Sequence, residues 1–245
     1  MALIMLEKIY TIPVNEAFDA CRDDATCGCP ICVLRKKLES DELEIIMGAA
    51  MMDPDIRIKT NEQGFCGRHF DMMLERNNRL GLALILESHL AEVRKMTEPG
   101  GLFGARTNAM PDKLENLEKS CYVCGRINYS LGKMIENTVY LWESEKEFRD
   151  KLDAQPYFCL PHLRALLTSA KENMNKKKLP DFQQALLRVV NTYFDEVTKD
   201  VSWFCKKFDY RYENEPWGNS KDSPERAITF LSSDRSVKQD KKKKI

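Results

Sequence analysis

The chain has 245 residues, 43% of them hydrophobic, and 38 basic side chains balance 38 acidic ones to a formal net charge of zero. No apolar run approaches the ~20 residues of a membrane-spanning helix, and no basic-then-apolar leader stands at the start, so the sequence reads as cytoplasmic with no membrane partner. The charge is uneven: six Lys and Arg against Asp240 leave +5 on residues 235–245 and therefore −5 on residues 1–234, a balance that argues against a nucleic-acid-binding face.

Only 11 Gly and 10 Pro, among many Leu, Lys, Glu and Met, predict an all-α fold. In residues 1–28 a short helix is expected, with Pro13 at its first position and Val14, Phe18 and Cys21 on one side. Cys29-Pro30-Ile31-Cys32 then turns into a helix of about twenty residues. Its stripe is Ile31, Leu34, Leu38, Ile45 and Ala49, and Met51-Met52-Asp53-Pro54 stops it. The polar stretch from Asp53 to Gly64 reads as a loop. Cys66 opens a longer helix reaching about Lys95, with Phe70, Met73, Leu74, Leu84 and Leu90 on its apolar side.

Residues 97–112, rich in Gly and bounded by Pro99 and Pro111, form the clearest linker. Leu114 and Leu117 suggest a short helix before Cys121. A helix striped by Ile127, Leu131, Ile135, Val139 and Trp142 follows. Phe158-Cys159-Leu160-Pro161-His162 opens another, continued by Leu163, Leu166, Leu167 and Ala170. From Phe182 to Phe204 apolar residues step by three and four for six turns, the longest amphipathic helix in the chain. Ser223-Pro224-Glu225 marks one more helix start, and the lysine-rich end reads as disordered.

Eight of the twelve Cys and His residues fall into one pattern written twice. Cys29-x-x-Cys32 precedes Cys66-x-x-His69, and Cys121-x-x-Cys124 precedes Cys159-x-x-His162. The second copy lies 92 residues on at the first pair and 93 at the second. Three thiolates and an imidazole are a tetrahedral ligand set for zinc, so two zinc ions per chain are expected. A filled set of four protein ligands points to structural rather than catalytic ions. Each copy reads as a pseudo-repeated lobe: 1–96 and 113–179, each with a Cys3His site, joined by the 97–112 linker. The long helix at 180–207 would be shared, and 208–245 is an irregular extension. Whether ligands close within a copy or between copies is left open by spacing alone. Arg68 and Arg126 are candidates to offset the net negative charge of a Cys3His centre from its surroundings.

An odd nine cysteines in a reducing compartment read as ligands or free thiols rather than disulfides. Cys21 and Cys205 sit on apolar helical faces and read as core. Cys27, in Cys27-Gly28-Cys29, offers a fifth thiol beside the first knuckle. It supports the alternative of a thiol-based redox sensor or zinc-thiolate enzyme using Cys27, Cys29 and Cys32. A redox dithiol of thioredoxin type would want a βαβ setting, which is missing, and iron–sulfur ligation more commonly uses cysteine alone. No catalytic residues are assigned. Phosphate-binding glycine loops and nucleophile or metalloprotease motifs are absent, and His89, within a helix, reads as structural. The aromatic segment from Asp209 to Gly218 either packs on the body or offers a strip for a partner.

The run Cys-Pro-x-Cys, Gly-Phe-Cys-x-x-His, a second Cys-x-x-Cys and Phe-Cys-x-x-His resembles an uncharacterised bacterial family of cysteine-rich cytoplasmic proteins. Phe208-Asp-Tyr-Arg211 and Glu215-Pro-Trp-Gly218 resemble it too, so that the likeness spans roughly residues 10–232. It implies the same ligand pattern and no activity. The expectation is a non-catalytic zinc-binding adaptor or regulator whose partner is another protein.

Overall fold

The computed structural model describes residues 2–97 and 110–233, with side chains from Ile9 onward. Among them are eleven α-helices and no strand. In chain order these are α1 (Ala2–Asp23), α2 (Pro30–Met47), α3 (Pro54–Gln63), α4 (Gly67–Glu75), α5 (Arg79–Thr97) and α6 (Met110–Lys119). There follow α7 (Tyr122–Ser144), α8 (Lys146–Asp153), α9 (Leu160–Asn173), α10 (Leu179–Lys206) and α11 (Ser223–Ser232). None is long and apolar enough to cross a membrane among the described residues.

The chain divides into two compact units, but not where the repeat places the boundary. One unit holds residues 1–35 and 131–245, the other residues 36–130. The expected lobes 1–96 and 113–179 are therefore not the units of the fold. Both crossings between units fall inside helices, α2 and α7. Most of the 97–112 linker and the lysine-rich end lie outside the described residues.

The 1–35/131–245 unit is built on α10. Phe182, Ala185, Leu186, Val189, Val190, Tyr193 and Val197 of the predicted stripe are buried, whereas Phe194 is exposed and Val201 and Phe204 are only partly covered. The buried residues pack on α8, α9 and α11. The helix lies wholly in this unit, where the sequence had it shared between lobes. From α1, Val14, Phe18 and Cys21 are buried as expected, with Phe18 against Phe148 (ring centroids 4.9 Å) and Phe158 (6.1 Å). Pro13 sits inside α1 rather than at its start, the helix beginning at Ala2. Trp142 meets Phe182 edge-on at 5.0 Å, and Tyr157 stacks on Tyr193 at 4.1 Å. Helix α8, which the sequence reading missed, supplies the fully buried Phe148 and Leu152.

The 36–130 unit has its own core of Leu43, Ile46, Met47, Phe65, Met73, Leu82, Ile85, Tyr122, Val123 and Ile127. Two corrections apply here. Asp53–Gly64 is largely helix, not loop: the Asp53 carboxylate accepts from the Asp55 and Ile56 amides, and Pro54 occupies the first turn. The long helix expected from Cys66 to Lys95 is two, broken after Glu75. Asn78 makes the break, accepting from the Gly81 amide (2.9 Å) and donating to the Met47 carbonyl (2.7 Å). Leu74 before the break and Leu90 after it are exposed, and Ile45 of α2 is exposed as well.

After α10 the aromatic segment both clamps and projects. The Lys207 ammonium donates to the carbonyls of Tyr212, Glu213 and Glu215 at 2.6–2.8 Å and lies over the Trp217 ring. Trp203 Nε1 donates to the Pro216 carbonyl. Phe208 and Tyr210 point outward. Lys207→Met keeps the aliphatic stem but removes the buried ammonium that ties three backbone carbonyls together. It should cost about 1–3 kcal/mol, a fall of several degrees in melting temperature. The faster hydrogen exchange that follows should be confined to residues 208–217.

Candidate metal centres

Four short motifs turn out to be one local device. Cys66 and Cys159 are N-cap residues, with extended backbone (φ −73°, ψ 161° and φ −64°, ψ 153°) and no side-chain cap bond. Their carbonyls already accept from the first helical turn, Cys66 from the His69 and Phe70 amides and Cys159 from Leu163. Cys29 and Cys121 stand in the same position before α2 and α7, their carbonyls accepting from Val33 and Gly125 respectively. In each motif the second donor is therefore the third helical residue: Cys32, His69, Cys124 or His162. N-cap and third-residue side chains converge in the capping box of ordinary helices. Here sulfur and imidazole replace hydroxyl and carboxylate, beside the amides and dipole end that favour a thiolate.

The motifs pair across the two copies rather than within them. Cys29 and Cys32 meet Cys159 and His162, and Cys66 and His69 meet Cys121 and Cys124. We call these the first and second centres. Each lies inside one structural unit. All four donor atoms of each lie within 4.8 Å of one another. The eight predicted residues are thus brought together, but in the crossed arrangement that spacing left open.

The separations match a single ion. Sulfurs bound to one zinc at ~2.3 Å in a tetrahedron lie about 3.8 Å apart, and sulfur to nitrogen is slightly less. In the first centre Cys32 Sγ is 3.7 Å from Cys159 Sγ, and His162 Nδ1 is 3.6, 3.3 and 3.1 Å from Cys29, Cys32 and Cys159. In the second, Cys66 Sγ is 3.8 Å from Cys124 Sγ, and His69 Nδ1 is 3.2, 3.2 and 3.5 Å from Cys66, Cys121 and Cys124. Both histidines present Nδ1. A cluster of several irons would spread the four donors around itself, whereas these surround one point.

Proton occupancy supports the same fit. In the first centre, burial pushes the Cys29 thiol well up. Hydrogen bonds from Cys159 and Cys29 pull Cys32 far down, and Cys159, although a bond from Cys29 lowers it, is raised to about 12 by Cys32 and burial. In the second, burial would raise Cys121, but His69 and the backbone amides of Cys124 and Cys66 hold it at about 6. Burial and the Cys121 charge raise Cys124 to about 12. In each centre, therefore, one thiol is drawn toward thiolate while a neighbour is held protonated, a pattern that a bound dication would resolve by displacing protons.

Only the second centre has an ionic support that the structure displays. Glu39 of α2 is buried and accepts from Arg68 through both oxygens (2.9 and 2.8 Å), and its Oε1 lies 3.1 Å from His69 Nε2. Burial opposes the Glu39 charge, but His69 and Arg68 outweigh it and hold the carboxyl at about 2. Likewise burial opposes a charge on His69, and Cys121 with Glu39 raises it to about 9. A carboxylate on the far nitrogen fixes the ring with Nδ1 toward the sulfurs. Arg68 thus reaches the centre through Glu39, a residue the sequence reading missed for lack of any motif around it. Arg126 pairs instead with Glu42 at 3.3 Å and is exposed, which corrects its predicted role.

The remaining cysteines also require corrections. Cys27 is disulfide-bonded to Cys21, against the expectation of free thiols, and so has no thiol to exchange with Cys29. Cys205 is free and exposed, not core. His89 is buried with Nδ1 3.1 Å from the Asn61 carbonyl, a structural position as expected.

Cross-copy pairing makes a sharp prediction. Cys159→Ala should abolish cobalt or zinc binding at Cys29 and Cys32 while Cys66, His69, Cys121 and Cys124 still bind one ion; loss of binding at Cys121 and Cys124, with one ion kept by Cys29, Cys32, Cys66 and His69, would instead mean pairing within copies. Glu39→Gln should weaken the second centre about 10–100-fold in competition titrations. In the unsubstituted protein, affinity at that centre should fall as pH drops below about 9, because the ion must then displace the His69 proton.

No curated protein and no solved structure matches the chain. The matched extent agrees with the resemblance read from the motifs: over residues 5–238 the chain fits the model of a family of unknown function, DUF6062, and it belongs to that family.

Proposed function

We propose that this chain is a zinc protein with two structural Cys3His centres, one ligated by Cys29, Cys32, Cys159 and His162 and the other by Cys66, His69, Cys121 and Cys124. The observation that carries the reading is that each group offers four donors at the edge lengths of one tetrahedron. Zinc is the ion that thiolate-rich tetrahedral sites of this kind suit best. Four protein donors leave no position for water or substrate, which supports a non-catalytic role. The protein then acts as an adaptor or regulator in the cytoplasm, and its partner is another protein. The ions supply folding energy by joining helix starts far apart in sequence.

Elemental analysis of the purified full chain should find two zinc per molecule. Stripping them with a strong chelator should abolish the cooperative thermal transition. Iron in place of zinc, fewer than one metal per chain, or unchanged melting after stripping would overturn the proposal.

A further inference from the structure

The two centres use the same four-donor set but differ in what stands beside the sulfurs. Cys29, Cys32 and Cys159 are no more than 4% exposed. In the second centre Cys66, Cys121 and Cys124 are all partly exposed, while His69 is buried.

The residues that follow the donor cysteines also differ between the centres. In the first centre Cys32 is followed by Val33 and Cys159 by Leu160. The Tyr157 hydroxyl closes over the turn between Cys27 and Cys29, 3.1 Å from where a Cβ on Gly28 would stand. In the second centre the corresponding residues are Gly67 after Cys66 and Gly125 after Cys124. A Cβ on Gly67 would meet nothing within 4 Å, and one on Gly125 would meet only Gln63 Oε1, at 4.0 Å. Neither glycine has a left-handed backbone that would require glycine. Their effect is to leave open space at the positions next in sequence to two donor cysteines.

We infer that the second centre is an exchangeable site for a soft divalent cation, while the first holds its ion permanently. The inference rests on the reading of both centres as metal sites and adds a division of labour between them. Transfer from a thiolate site requires an incoming ligand to reach the ion or a coordinated sulfur. The first centre denies that approach on every cysteine that the structure buries. The second permits it at Cys66 and Cys124, and the Glu39 contact holds His69 in place so that the vacated site keeps its shape for reloading. Affinity and exchange rate are separable here: Glu39 favours tight binding, and the glycines favour fast passage. The acceptor class is a small chelator or thiol able to contact a half-exposed sulfur.

The test mixes the full-length two-zinc protein with excess 4-(2-pyridylazo)resorcinol and follows its absorbance. One equivalent should transfer at least ten-fold faster than the other. Gly67→Leu with Gly125→Val, which places after these cysteines the side chains found at the first centre, should still bind two zinc but slow the fast phase at least three-fold. The reverse pair, Val33→Gly with Leu160→Gly, should leave the fast phase unchanged. Two equivalents leaving in one phase, or a fast phase untouched by the Gly67 and Gly125 substitutions, overturns the inference while leaving the two-zinc reading intact. Fewer than two zinc before chelator is added overturns both.

Discussion

Everything in this molecule depends on a constraint at helix starts. A helix begins with amides that have no partner inside it, and a side chain at the N-cap and another at the third residue lie together over them. Four helices here, α2, α4, α7 and α9, place Cys or His at both positions. Sulfur in that location gains from the dipole, but two such groups brought together repel unless a proton or a cation sits between them. Burial first, and the neighbouring sulfurs after it, push the Cys29 and Cys124 thiols up. A metal ion held by either group would convert that conflict between neighbouring helix ends into a joint that holds them.

Much of this was legible in the chain. The eight members of the two Cys/His groups followed from the Cys-x-x-Cys and Cys-x-x-His spacing, and the stripe of α7 and the first five turns of that of α10, Phe194 excepted, were read correctly because regular periodicity leaves little freedom. The failures have specific causes. Asp53-Pro54 is a good N-cap signal, but the polar residues that follow hid α3, which buries only Thr60. Asn78 interrupts an apolar pattern that looks continuous, because its side chain caps α5 while bonding to Met47 far away in sequence. Glu39 could not be found at all from sequence: its role depends on Arg68 and His69, about thirty residues distant, folding onto it.

Pairing of the motifs is the deeper case. Spacing specifies a half-site, and two identical copies of each half-site admit either closure. What decides between them is packing. Phe158 at the second Cys-x-x-His belongs with Phe18 in one core, and Phe65 at the first belongs with Tyr122 and Val123 in the other. The Tyr122 amide donates to the Gly64 carbonyl, and the Ser120 hydroxyl to Gln63, tying the second knuckle to the first Cys-x-x-His directly. The boundaries of the units follow these contacts and cut through the repeat.

The crossed pairing is also nested, and nesting has a temporal meaning. The second centre closes a span of 52–58 residues and lies entirely inside the 127–133 residues closed by the first. Closing the shorter span costs about 0.8 kcal/mol less chain entropy than closing the longer one directly, and once it is closed the outer span is effectively shortened. A chain emerging from the ribosome presents every donor of the inner centre by residue 124, whereas the outer centre waits for residue 162. Vectorial synthesis thus completes the donor groups from inside to outside, and the newborn chain first presents a full set of four donors at its more open group.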